Sequence, residues 1–150
     1  MKGNVRQDVG LLILRIGLGL TMLYFGSQKM LGVFGGHGYS ATVNGMHSGM
    51  GIPIVFAHLA IFGEFLGGLG VLFGFLTIVA SLGVACTMGV ATYMNMRGPG
   101  TLSGIFTGSA NAVPSKLYFP AMLCALAVAL MLLGPGGFSL DRKFFRKGKK

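Results

Sequence analysis

Between Glu64 and Arg97 the chain runs for 32 residues without one charged side chain, and nothing else in it restricts the fold so severely. Drawn as a single α-helix, Phe65 to Met96 would be about 48 Å long at 1.5 Å per residue, far more than the roughly 30 Å hydrocarbon core of a bilayer. The run therefore has to fold back, and the expected reversal is at Gly74-Phe75-Leu76-Thr77. A water-soluble core is no alternative, because only 10% of the 150 residues are charged and 53% are apolar, against roughly 25% charged in a soluble domain. So few charges cannot cover a soluble enzyme of this size. Lipid is the expected solvent.

Four stretches approach the roughly 20 apolar residues that a crossing needs: Val9 to Ser27, Ile54 to Leu76, Ile78 to Met96 and Leu117 to Gly134. The expected fold is all-α, an integral membrane antiparallel four-helix bundle over residues 1–137 with a basic tail at 138–150. Lys2 and Arg6 ahead of the first stretch look like the start of a signal peptide. Arg15 interrupts its apolar centre, however, and no A-x-A site follows, so the stretch is expected to stay as an anchor. Lys2, Arg6 and six basic residues between Arg142 and Lys150 outnumber Lys29, Arg97 and Lys116 by eight to three. This excess predicts both termini in the cytoplasm, with Gln28 to Pro53 and Arg97 to Lys116 facing outward as caps over the bundle. The tail interleaves Arg142, Lys143, Arg146 and Lys147 with Phe144 and Phe145. That pattern suits anionic lipid headgroups and not nucleic acid; a disordered tail is the alternative.

Arg15 and Glu64 are the two charges inside the apolar stretches, and each costs at least about 2.5–3.5 kcal/mol unless it finds a partner. Counting from assumed bilayer edges puts them about 9 Å and 14 Å from the same face, which predicts an ion pair between them. Such a pair either handles protons or substrate, or simply fixes helix register. Beside Glu64, Ala60, Gly63, Gly67, Gly70 and Gly74 recur at steps of three or four. Arg15, Gly19, Met22 and Gly26 share a face of the first stretch, and Ala121, Ala125 and Ala129 share one of the last. Stripes of this kind let helices pack backbone to backbone, within the chain or against another subunit.

Nearer the outer surface the same count brings Tyr24, His58, Tyr93 and Asn95 to one level. Imidazole and phenol groups beside an apolar pocket between the first three spans would suit a quinone carbonyl, with His58 available for proton transfer. An aromatic belt with an interfacial histidine accounts for them equally. His37 and His47 have no carboxylate or thiol nearby in sequence, so no metal site is expected. Cys86 and Cys124 come out about 13 Å and 20 Å from the inner face, an offset that argues against a disulfide.

Four segments in order then become recognisable: Leu12-Ile13-Leu14-Arg15-Ile16-Gly17-Leu18-Gly19 ending in Gly26-Ser27-Gln28-Lys29; Gly51-Ile52-Pro53; Gly63-Glu64-Phe65-Leu66-Gly67-Gly68; and Leu133-Gly134-Pro135-Gly136-Gly137-Phe138-Ser139-Leu140-Asp141. Together they resemble the DoxX family of small four-helix bacterial membrane proteins over nearly the whole chain. Phe25 and Ile78 stand where that family often has His and Arg or Lys. The resemblance implies a bacterial inner (cytoplasmic) membrane protein that serves as a subunit of a redox-linked complex, respiratory or quinone-associated, related to thiosulfate:quinone oxidoreductase. It implies other membrane subunits as partners and a quinone as cofactor, with none bound covalently. The rival readings are a non-catalytic structural or assembly subunit and a small transporter built on Arg15 and Glu64. A redox subunit needs a pocket reaching His58 or Glu64, whereas a packing subunit should be filled solid and turn its small-residue stripes outward.

Overall fold

The computed structural model describes residues 4–97 and 115–145, and among them every regular element is a helix. Asn4, in an extended conformation, opens α1 (Val5–Met30) by accepting the Arg6 N–H, and Asp8 in the first turn complements the positive end of the helix dipole. After a turn, α2 (Tyr39–Asn44) runs on through a π-helical segment at Gly45–Gly49. Val43 of α2 is buried with Ala57 and Ile61, and Met46 and Ile52 pack on them, so this loop is the expected cap. The other helices are α3 (Ile54–Phe73), α4 (Thr77–Met96), α5 (Ser115–Leu133) and the short α6 (Leu140–Phe145). α1, α3 and α4 are long and apolar enough to cross a bilayer; α5 is apolar but shorter over Leu117–Leu133.

The charge-free run reverses where expected. α3 stops at Phe73, Gly74 takes φ +67°, Leu76 takes φ +47°, and α4 starts at Thr77. A left-handed leucine is strained, and Asp141 of α6 holds it in place. The Asp141 Oδ1 accepts the Leu76 N–H at 2.6 Å and its Oδ2 accepts the Thr77 N–H at 2.8 Å. Those two bonds satisfy the first donors of α4, which has no side-chain cap at its own N-cap residue.

α3 packs against α1 on one side and α4 on another, while α5 packs on α4 and more sparsely on α1. Gly19 lies against Leu72 and Gly26 against Phe65, so that α1 and α3 run antiparallel; a Cβ at either glycine would come within 2.8 Å of α3. Gly63, Gly67 and Gly70 fit against Thr87, Val84 and Ala80 of α4 in the same way. The stripes of the first two apolar stretches thus join helices within the chain. The alanine stripe of the last stretch does not form a contact ridge: α5 buries Leu117, Leu123, Ala127 and Leu130 and exposes Ala125. Its α4 partner offers Val84, Ala85 and Met88, so this contact mixes Ala85 and Ala127 with larger side chains instead of running along the expected alanines. Leu18, Met22, Val71 and Val84 complete the shared core.

Candidate functional site

At the end of the bundle where α1 begins and α6 lies, Arg15 is 2% exposed, but it does not meet Glu64. Its Nε donates to the Val71 carbonyl at 3.1 Å and Nη2 to that of Leu72 at 3.2 Å, while Nη1 donates to Pro135 at 2.8 Å and Phe138 at 2.9 Å. Carbonyls at a helix C-terminus lack internal donors, so Arg15 both caps α3 and ties it to the turn after α5. Gly74 makes room, because a Cβ there would stand 2.6 Å from the guanidinium carbon. Asp8 adds to the latch, accepting the Gly137 N–H on Oδ1 at 2.6 Å and Arg142 Nη1 on Oδ2 at 3.5 Å. Residues 138–145 are therefore docked on the bundle, and the expected boundary between bundle and tail at 138 falls inside the latch.

The expected pairing fails because of register. Arg15 lies eleven residues before Gly26, which packs at Glu64 and Phe65, a separation of about 16 Å along α1. α3 also starts about 10 Å beyond the end of α1, so residues at equal counts from the helix ends do not lie at one level.

Glu64 pairs instead with Lys29, Nζ to Oε1 at 2.5 Å. The glutamate side chain is 3% exposed, and its Oε2 has no hydrogen-bond partner among the described residues. Lys29 keeps 30% of its side-chain surface and lines a cleft of about 520 Å³ between α1, α4 and α5, along with Met22, Phe25, Met88, Asn95 and Phe119. Phe25 and Phe119 meet edge to face across the sparse α1–α5 seam, their centroids 5.5 Å apart. The volume is in the range of small-molecule sites. An ammonium group has three N–H donors, so Lys29 can hold Glu64 and an acceptor oxygen in the cleft together. A buried carboxylate oxygen without a partner is costly, and a hydrogen-bond donor at Oε2 removes that cost.

The four residues expected to share a site have separate surroundings. The His58 Nδ1 lies 2.6 Å from the Tyr39 hydroxyl, with the two rings stacked. Tyr24 packs on Phe25 and Phe34 and is 46% exposed, and Tyr93, 54% exposed, lies under Arg97. Of the four, only Asn95 lines the cleft; its Nδ2 donates to Ala91 at 2.7 Å, leaving the amide oxygen as an acceptor. Shared depth is not a shared face: Tyr24 sits two residues, or about 200°, round α1 from the buried Met22. The cleft accordingly opens among the first, third and fourth apolar stretches and not among the first three.

His37 and His47 are both exposed, His47 bonding the Ile52 carbonyl at 3.0 Å, and no group of three metal-ligating side chains gathers among the described residues. Cys86 and Cys124 are free. They are nearly level, since the Cys124 Sγ donates to Ala85 at 3.4 Å; it is the outward face of Cys86 that separates them. Lys143 is exposed and Arg142 is half-exposed beside Asp8, whereas Arg146 and Lys147 lie outside the described residues. Lys29, Tyr39, Asp8 and Asp141 had not been singled out for these roles from the sequence. For Lys29 a signal existed, because it continues the series Arg15, Gly19, Met22, Gly26 by another step of three.

A family model described as DoxX matches residues 10–96. The chain is also similar to inner membrane protein YqjF of Escherichia coli (strain K12), 29% identical over 142 residues that cover 94% of this chain and 96% of that protein. No solved structure matches it.

Proposed function

This chain belongs to the DoxX family, and on that premise we propose that it is a four-span subunit of a redox-linked membrane complex, its cleft taking the head of a quinone or a similar apolar carbonyl compound. The observation that carries the reading is the Lys29–Glu64 pair, in which the carboxylate is buried with one oxygen left without a partner among the described residues and Lys29 lines an apolar cleft. A bound quinone supplies two-electron, two-proton carrier chemistry. Lys29 holds an acceptor oxygen by a charged N–H, Glu64 fixes the ammonium in place, the Asn95 amide oxygen accepts a hydrogen bond from a hydroxyl, and Phe25 and Phe119 keep water from the seam. Electrons come from a partner redox subunit.

α5 supplies the fourth span, and the eight-to-three excess of basic residues supports cytoplasmic termini. The inner-membrane name of the relative favours that location here also. A purely structural subunit is less well supported, since the glycine faces of α1 and α3 are used inside the chain. A transporter built on Arg15 and Glu64 loses its basis with the pair. The test is quinone extraction from protein purified gently out of native membranes, with co-purifying chains identified. Wild type should retain quinone, and Lys29→Met should bind it roughly 10- to 100-fold more weakly, as loss of a charged hydrogen bond implies. Equal retention by both proteins, or none by wild type, contradicts the reading.

A further inference from the structure

At the latch end a second depression, of about 580 Å³, runs between the last turn of α3 and α6, lined among others by Leu72, Phe73, Phe138, Leu140, Arg142 and Lys143. We infer that it is a seat for one anionic phospholipid, the phosphate at Arg142 and Lys143 and an acyl chain along Phe73 and Phe138. Two features select a lipid over a free anion. Phe73 and Phe138 are each 56% exposed, and Phe73 is the last residue of α3, a helix long and apolar enough to cross a bilayer, so half of the groove is an apolar surface that continues that of the helix. The other half carries two cations and no carboxylate in its lining; Asp8 holds Arg142 from outside it by one long contact of 3.5 Å. The guanidinium has five N–H donors, which leaves others for a phosphate. The latch fixes this geometry, because the same turn is bound through its Phe138 and Pro135 carbonyls by Arg15. The groove is independent of the cleft and of any redox role.

The chain contains no tryptophan, so Phe138→Trp gives the full-length protein a single fluorophore in the groove. It is reconstituted into phosphatidylcholine vesicles holding a minor fraction of brominated phosphatidylglycerol or, in parallel, of brominated phosphatidylcholine. Roughly fivefold preference is expected for each cation engaged, so the anionic lipid should quench the indole at position 138 at several-fold lower mole fraction. Ile13→Trp, on an exposed face of α1, should show no preference. Lys143→Gln, at an exposed side chain whose loss leaves the latch intact, should lower the preference about fivefold, and adding Arg142→Gln should abolish it. Truncation after Phe145 should preserve it. Equal quenching by the two lipids at position 138 overturns the inference. So does a preference that survives both substitutions and vanishes on truncation, or one that excess inorganic phosphate removes, which would mark a simple anion site.

Discussion

Arg15 and Lys29 stand on one face of α1, about 21 Å apart, one buried and the other half-buried, and the two ends they occupy use a cation in different ways. Arg15 spends its donors on four main-chain carbonyls, and around it Asp8 and Asp141 are likewise committed to backbone N–H groups. Lys29 has one carboxylate partner, that partner has an oxygen left over, and an open cleft lies beside them. A charge whose bonds are all made to backbone fixes where chain segments lie. A charge pair with bonding capacity to spare, next to space, can still take up a ligand.

The contrast breaks most readily at Arg15. Arg15→Met strands the Leu72, Pro135 and Phe138 carbonyls, leaves that of Val71 with the Gly74 N–H alone, and frees the turn after α5; it should cost roughly 3–5 kcal/mol in denaturant unfolding of the detergent-solubilised protein, and a cost under about 1 kcal/mol would mean that the latch does not hold this end. Gly74→Ala should cost about 2–3 kcal/mol, from its left-handed backbone and the collision with the guanidinium. In the Arg15→Met background that penalty should shrink, since the guanidinium is gone while the left-handed backbone and the crowding by Ser139 Cβ remain, and strict additivity would deny the contact. Asp141→Ala should cost about 1–2 kcal/mol and speed hydrogen exchange at the Leu76 and Thr77 amides while leaving the middle of α4 protected. At the other end Lys29→Met combined with Glu64→Gln should change stability least, by under about 1 kcal/mol, and be milder than Lys29→Met alone, which strands the carboxylate.

The helices and their reversal were legible because they follow from one-dimensional rules. A charge-free run too long for a bilayer must turn, and glycines at steps of three or four mark close helix contacts. Arg15 and Glu64 were also legible as buried, both being 2% exposed. Their partners were not, because pairing depends on how far one helix slides past another, and that is set by Gly19 and Gly26 settling on Leu72 and Phe65. The Tyr24, His58, Tyr93 and Asn95 group dissolved for a related reason: depth along a helix says nothing of which way a side chain points. The Gly134-Pro135-Gly136-Gly137 turn follows the end of the last apolar stretch about where the sequence put it, since α5 stops at Leu133. Its role as the receptor for Arg15 was hidden, since backbone carbonyls leave no mark in a sequence.

The most direct test is one thermal unfolding series on reconstituted protein, wild type and the Lys29→Met/Glu64→Gln double variant, each with and without a short-tailed ubiquinone. A ligand that binds only the folded form raises its stability by RT ln(1 + [L]/Kd). The expected result is that both proteins melt alike without the quinone and that only wild type is stabilised by it. A double variant that is stabilised as much as wild type, or that melts far below it before any quinone is added, would contradict the assignment of Lys29 and Glu64 to function and Arg15 to structure.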